Sequence, residues 1–567
     1  MRFDPIDGPP AFLVLTGALA LDAAARGGAA PDLSAPGLAV WLGAKMAARG
    51  HVSAAHLPRG EDVVAGVVLG RFFDGGLWPG PGTAAKRLCR HFDPARGVPR
   101  TLCGEFAFVH WDSARGSLTL GTDQAGTRCV FYTDTGKGIA AASDIESLRA
   151  WCPDPERIDQ LALADYLTGS MEHGEHRTLV AGIRRVPAAH CATVRGETIT
   201  VSRYWDPRDA PQITLGSDGT CIEMGRALLA DSMRDRMASP GPFGVHLSGG
   251  YDSSVVAGLL AQDCRARGLP PPPAFAWHAD PGTEAALHPD TLKIDAVRRA
   301  TGLDLTFCPG GPASFEAFLA VDPARFPLCL DYEAERPVLD AARGKDIATI
   351  FSGWGGDQAL SFSGRASPPP SALRRGASHV LRHWLRGQPV TNPYFRPAPP
   401  RQTRLATLKD ALGRRTTRQV VIDNLTNGFL PRRMTTWCVA GAAAGLQYSY
   451  PLCDPRLLDF AMGVPDRLYR AGGTPRQLMR DLIKGTVPPE VLDHPAKVEV
   501  SRLDRHGDLV TARSRLIAGH IDSGRIDQAR ARDLDIDRLR HDLARAEAGD
   551  KVPWGKIMNA AAYLLTP

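Results

Sequence analysis

No stretch of this sequence approaches the roughly 20 apolar residues that a membrane-spanning helix needs. No G-x-x-x-x-G-K-[ST] occurs either, so neither a membrane span nor a Walker A loop is expected. Cysteine is sparse: eleven in 567 residues, an odd number, with no C-x-x-C pair and no metal-like spacing. That pattern speaks against a disulfide framework or a zinc ribbon and fits a reducing compartment, with cytoplasmic localisation as the expectation. Charge of one sign is also scarce. The net +6 is small against 67 basic and 61 acidic residues, and no basic, aromatic stripe marks an RNA surface, so no nucleic-acid partner is expected. The signal-like stretch Ala11–Ala25 is interrupted by Asp22 and preceded by Asp4 and Asp7, and it reads as a strand followed by a helix. Apolar residues, by contrast, are plentiful at 44%, ample for roughly two to four packed domains.

The chain is organised around Val245–Ser254, VHLSGGYDSS. An apolar run from Phe243 to Leu247 breaks at Ser248-Gly249-Gly250 and resumes as SSVVAGLLAQ, which predicts a strand, a tight turn and a buried helix. Such a turn is a phosphate cradle. Its glycines let the backbone approach an anion, the helix start favours negative charge, and the hydroxyls of Ser248, Ser253 and Ser254 can donate. Asp252 would repel phosphate unless a divalent cation lay between them, which implies Mg²⁺. A second strand and glycine turn, IFSGWGGDQ at Ile350–Gln358, carries Asp357. The two acids could share that metal at one sheet edge.

Around these turns the pattern divides. Residues 1–205 read as antiparallel and strand-rich, with short β runs at Phe106–Trp111, Ser117–Gly121, Cys129–Thr133 and Lys137–Ala142. Asp206–Thr220 is rich in turn formers and reads as a linker. From Cys221 helices alternate with short apolar strands at Phe243–Leu247, Ala274–His278, Leu305–Cys308 and Ile347–Phe351, the signature of a parallel sheet. The helices between them are expected at Cys221–Met237, Ser253–Arg267 and Thr291–Thr301. A Pro- and Arg-rich insertion, Pro368–Arg404, with a helix at His379–Arg386, interrupts this order and could be a solvated surface segment, a lid or a peptide guide.

SGGYDSS resembles the pyrophosphate-binding loop of the ATP pyrophosphatases, and IFSGWGGDQ is similar to the SG-x-G-x-D segment of asparagine synthetases and their relatives. LCGEFAFVHWD (Leu102–Asp112), TDQAGTRCVFY (Thr122–Tyr132) and AASDIESL (Ala141–Leu148) resemble the glutaminase domain of that family, which YW at Tyr204-Trp205 would close. The resemblance implies an α/β chain. An N-terminal αββα Ntn-type sandwich of antiparallel sheets over 1–205 would be followed by a parallel-sheet, adenine nucleotide hydrolase-like (PP-loop) domain over 221–567. It also implies ATP and Mg²⁺ as cofactors, with ATP held by Leu247, Ser248, Gly249, Gly250, Asp252, Ser253, Ser254, Ser352 and Gly353. Asp252 and Asp357 would be metal ligands and catalytic, and Lys497 of HPAKVEV would reach back over the phosphates.

Three departures bear on the substrate. Glutaminases of this class attack with an N-terminal cysteine, whereas this sequence reads Met1-Arg2-Phe3 and its first cysteine is Cys89, so no glutamine hydrolysis is expected. Trp354 stands where asparagine synthetases carry a glutamate and β-lactam synthetases a tyrosine. Indole accepts no proton, so Trp354 is expected to line an apolar or peptide-binding cavity instead. Gln447 and Ser449 replace charged residues of the asparagine synthetase pattern, which points away from aspartate as the substrate.

Among the relatives the chain looks most like a lasso-peptide cyclase, an AMP-forming macrolactam synthetase acting on a precursor peptide. A leader-binding protein and a leader peptidase would be its possible partners. A β-lactam-synthetase-like or other small amide synthetase, and a non-catalytic ATP-binding partner protein, are the alternatives.

Overall fold

The computed structural model describes residues 10–20, 30–73, 82–169, 171, 173–213, 217–239, 241–277, 289–327, 329–362, 393–396, 416–470, 474–493 and 501–565. Lys497, the helix expected at His379–Arg386 and most of Pro368–Arg404 lie outside these residues.

Twelve strands form the N-terminal part: β1 Phe12–Thr16, β2 Leu33–Ala35, β3 Leu38–Leu42, β4 Val52–Arg59, β5 Asp62–Phe72, β6 Gly104–Asp112, β7 Ser117–Thr122, β8 Phe131–Asp134, β9 Ile139–Ala142, β10 Arg184–Arg185, β11 His190–Arg195 and β12 Thr198–Arg203. They build two six-stranded antiparallel sheets, in the orders β10-β8-β9-β1-β3-β2 and β12-β11-β7-β6-β5-β4. Side-chain alternation explains the layers. On β1, Phe12 and Val14 enter the core between the sheets while Leu13 and Leu15 face the opposite side, toward Leu163 and Leu167 of the helix Gln160–Thr168. On β5, Ala65, Val67 and Leu69 point inward, and Val64 and Val68 pack under Leu88 and Cys89 of the helix Ala84–His91. Each sheet is thus covered on both faces, giving the αββα sandwich. The long strand β5 was not recognised in the sequence, and its double burial is the reason. The middle of β5 is buried on both sides and reads as a continuous apolar run without the alternation of a half-exposed strand.

The C-terminal part holds a parallel five-stranded sheet, in the order β15-β14-β13-β16-β17, from β13 Phe243–His246, β14 Pro273–Ala276, β15 Asp304–Phe307, β16 Thr349–Phe351 and β17 Gln447–Ser449. The first four lie where the apolar runs place them. β17 was not expected, because three residues are too few to show a period. The helix expected from Cys221 starts at Asp218, since Ser217 accepts a hydrogen bond from the Thr220 N–H at 3.2 Å and caps it. The last three residues of the expected linker are therefore helical. Strand order reverses at β13, with β14 and β15 on one side and β16 and β17 on the other. The crevice beyond the carboxyl ends of β13 and β16 is a topological switch point.

A buried ionic network joins the two parts. Glu105 of β6 accepts from Arg236 Nε at 2.8 Å, from the Tyr450 N–H at 2.7 Å and from Ser449 Oγ at 3.2 Å, and it pairs with Arg128 at 3.3 Å. Arg236 also donates to Asp454 at 2.8 Å. Burial opposes the Arg236 charge, but Glu105 and Asp454 outweigh it and raise its pKa. Burial likewise disfavours the Asp454 anion, and Arg456 and Arg236 overcome that and lower its pKa.

Candidate functional site

Two loops meet at the switch point. β13 runs into Leu247–Gly250 and the helix Tyr251–Ala266, so backbone N–H groups at that helix start are directed to the carboxyl edge of the sheet. The turn is tied by serines: Ser253 Oγ accepts from the Ser248 N–H at 3.0 Å and lies 3.0 Å from Ser248 Oγ. Gly249 requires glycine twice over. Its φ is +74°, and a Cβ there would stand 2.6 Å from the Asp290 carbonyl oxygen. Ser254 Oγ is buried and has no hydrogen-bond partner among the described residues. Leu247 differs from its neighbours. Its side chain is fully buried in the core and its N–H donates to the Phe275 carbonyl, so the side chain is not available to a ligand.

The second loop follows β16 and lies directly on the first. A Cβ on Gly353 would sit 2.6 Å from the carbonyl carbon of Asp252 and from Ser253 N, and one on Gly356 would sit 2.3 Å from Asp252 Oδ1. These glycines let the loops close on each other. The Ser361 hydroxyl lies 3.0 Å from Asp252 Oδ2 and 3.2 Å from Asp357 Oδ1, so one hydroxyl spans the two carboxylates. Arg476 pairs with Asp357 at 2.7 Å from a backbone at φ 59°, a left-handed conformation that costs a non-glycine residue of order 1 kcal/mol. The structure therefore brings Asp252 and Asp357 together, as the sequence reading requires. Both offer hard oxygen donors, the type Mg²⁺ takes, and they are the residues that would hold it. Among the described residues no group of three or more His, Cys, Asp or Glu could hold a metal. A cation here would accordingly draw further oxygens from its ligand and from water.

Behind the second loop lies a largely buried polar chain that was not recognised in the sequence. Glu335 is buried and accepts from Trp277 Nε1 at 3.0 Å, Tyr448 OH at 2.7 Å and His246 Nε2 at 2.9 Å. The other ring nitrogen of His246, Nδ1, lies 3.1 Å from the Ser352 hydroxyl oxygen. Ser352 Oγ in turn receives the Trp354 N–H at 3.4 Å. Burial, and then the Glu335 charge, push the Tyr448 hydroxyl pKa up. His246 sits in strand β13 where an apolar residue would be ordinary, and that was the one available signal.

Trp354 is half-buried and packs edge-on against Trp437, with the Arg433 guanidinium 3.7 Å above its ring. Its indole N–H is buried and has no hydrogen-bond partner among the described residues. Gln447 and Ser449 prove to be buried strand residues bonded to Arg128 and Glu105, so their neutrality has an explanation in the ionic network. In the first part of the chain four cysteine thiols are held above their ordinary pKa. Burial pushes the Cys89 and Cys191 thiols up to about 12 and Cys103 up to about 11, and a hydrogen bond with Cys438 together with burial raises Cys129.

The Asparagine synthase family model matches residues 224–552, and the Glutamine amidotransferase domain model matches residues 96–205. Glutamine-hydrolyzing asparagine synthetase 3 of Bacillus subtilis is 28% identical over 170 residues, 30% of this chain and 27% of that protein. Amidase chyE of Penicillium rubens is 31% identical over 163 residues, 28% of this chain and 24% of that protein. Glutamine-hydrolyzing asparagine synthetase 1 of Bacillus subtilis is 24% identical over 431 residues, 69% of this chain and 67% of that protein. The first two alignments span about a quarter of the relatives they match, 27% and 24%.

Proposed function

Since the chain belongs to the asparagine synthase family, whose model matches more than half of it, we propose that it is an ATP-dependent, AMP-forming amide synthetase that closes a macrolactam in a lasso-type precursor peptide. The observation that carries the reaction class is the meeting of Asp252 and Asp357 across one hydroxyl, beside a phosphate-cradling turn at the switch point. In this reading Ser248, Gly249, Gly250, Ser253 and Ser254 hold the β- and γ-phosphates, and Ser352 and Gly353 border the nucleotide. Mg²⁺ held by Asp252 and Asp357 would neutralise charge on the phosphate oxygens. A substrate carboxylate attacks the α-phosphorus, pyrophosphate leaves, and an amine displaces AMP from the acyl-adenylate to form the amide. Lys497 is proposed to face the same phosphates.

The amine comes from the peptide itself. In the glutaminase-like part the Cys89, Cys103, Cys129 and Cys191 thiols are held above their ordinary pKa, and a tethered amine reaches an effective molarity of order 10⁵ M or more. Trp354 supports a peptide substrate over aspartate, because a half-buried indole on the second loop offers apolar surface beside Asp357. A leader-binding protein and a leader peptidase are its proposed partners. Among the described residues no helix is long and apolar enough to cross a membrane.

The test is incubation of the purified protein with a leader-processed precursor peptide, ATP and Mg²⁺. Loss of one water by mass, together with AMP and pyrophosphate release, is expected. Pyrophosphate release with a free amino acid and none with peptides would replace this reading by that of a small-molecule amide synthetase.

A further inference from the structure

Lys293 lies early in the helix Pro289–Thr301, and its side chain is only 5% exposed. Its Nζ donates to Asp290 Oδ1 at 3.2 Å, the one hydrogen bond it makes among the described residues. An ammonium carries three N–H donors, so two are unfilled in a place almost closed to water, a state that costs free energy. A buried i,i+3 ion pair is a poor way to hold a helix, since apolar residues of similar size would serve as well or better.

The pair's location supplies the reason for it. The helix follows parallel strand β14, so its first turns lie at the carboxyl edge of the sheet, on the side of the phosphate-cradling turn. Contact is direct. A Cβ built on Gly249 would meet Lys293 Cβ at 3.3 Å and the Asp290 carbonyl oxygen at 2.6 Å. The base of the Lys293 side chain thus belongs to the wall against which the turn is folded, with its ammonium held by Asp290 of the same helix.

We infer that Lys293 is a second cation for the departing pyrophosphate, its two open donors meeting phosphate oxygens while Asp290, a positioning residue, holds the third. The inference rests on the adenylating reaction proposed above. In that step the bond from the α-phosphorus to the bridging oxygen breaks, its electron pair leaves with pyrophosphate, and a carboxylate oxygen forms the new bond. Lys293 stays protonated throughout and transfers nothing, so its contribution is electrostatic.

Isothermal titration of the full chain with inorganic pyrophosphate and Mg²⁺ tests this. Lys293→Gln is expected to bind on the order of 10- to 100-fold more weakly, the loss of one or more charge-assisted hydrogen bonds, whereas Lys293→Arg stays within a few-fold of the parent. Should Lys293→Gln unfold, the double variant Lys293→Met with Asp290→Leu removes both charges and leaves no orphan carboxylate, and the same weakening is expected of it. A variant without the charge that binds pyrophosphate as the parent does overturns the role of Lys293 alone. A parent chain that binds no pyrophosphate overturns the adenylation reading and this inference with it.

Discussion

Gly356→Ala isolates the closeness of the two loops from every other property of the site. The residue is not at positive φ, so alanine suits its backbone, and the effect of the change is steric. The added methyl would stand 2.3 Å from Asp252 Oδ1, 2.5 Å from its Cγ and 2.9 Å from Leu452 Cδ1. Ordinary contact begins at 3.4 Å, so the carboxylate or the loop must retreat by about 1 Å. A displacement of that size at reacting groups costs about 10²-fold in rate, and the overpacking costs about 1–3 kcal/mol in stability. Pyrophosphate release under saturating ATP and Mg²⁺ is the assay, with thermal unfolding in parallel. Gly60→Ala serves as the control. Its φ is +69° with nothing within 4 Å of an added Cβ, so it should lose about 1 kcal/mol of stability and no activity. Wild-type pyrophosphate release by Gly356→Ala would refute the argument that contact between the loops makes the site.

Asp357→Asn keeps the shape and removes a charge, so pyrophosphate release should fall at least about 10²-fold, and raising Mg²⁺ should restore part of it; an activity indifferent to both changes would contradict the metal assignment. Glu105→Gln leaves Arg128 buried without its carboxylate and Arg236 with Asp454 alone, and chemical denaturation should show a loss of about 3–5 kcal/mol. His51, buried with Nε2 2.9 Å from the Ala348 carbonyl, has its pKa lowered from 6.5 to about 3 by burial and then by Arg128. The unfolded chain therefore binds this proton first, and stability should fall as pH drops from about 6.5 toward about 3, by up to a few kcal/mol. His51→Gln should flatten that slope in denaturation curves taken across the range.

The parallel sheet was readable because its strands are short apolar runs punctuated by glycine turns, and the turn at Ser248–Gly250 names its own chemistry. Asp252 and Asp357, 105 positions apart, were paired by each following a strand in one sheet, and the structure joins them through Ser361. Ser361 itself was missed, as a lone serine four residues beyond an aspartate has no pattern to mark it. Arg476 was missed for a related reason, since its role depends on a left-handed backbone that no local signal announces. Glu335 and His246 come from a helix and a strand 89 residues apart, and only the packing of Trp277, Tyr448 and Ser352 around them makes their polarity intelligible. Gln447 and Ser449 were read as neutral replacements that point away from aspartate as the substrate. Without β17 and the neighbouring sheet in view, nothing in the chain showed that they face Glu105 and Arg128.

The same Glu105–Arg236–Asp454 linkage limits how the protein could be shortened. A C-terminal fragment cut loose from the glutaminase-like part would keep Asp454 beside Arg236 but lose Glu105, and with it the acceptor that fixes the Tyr450 amide just past β17. The glutaminase-like part is thus the scaffold on which the fifth strand of the parallel sheet is hung.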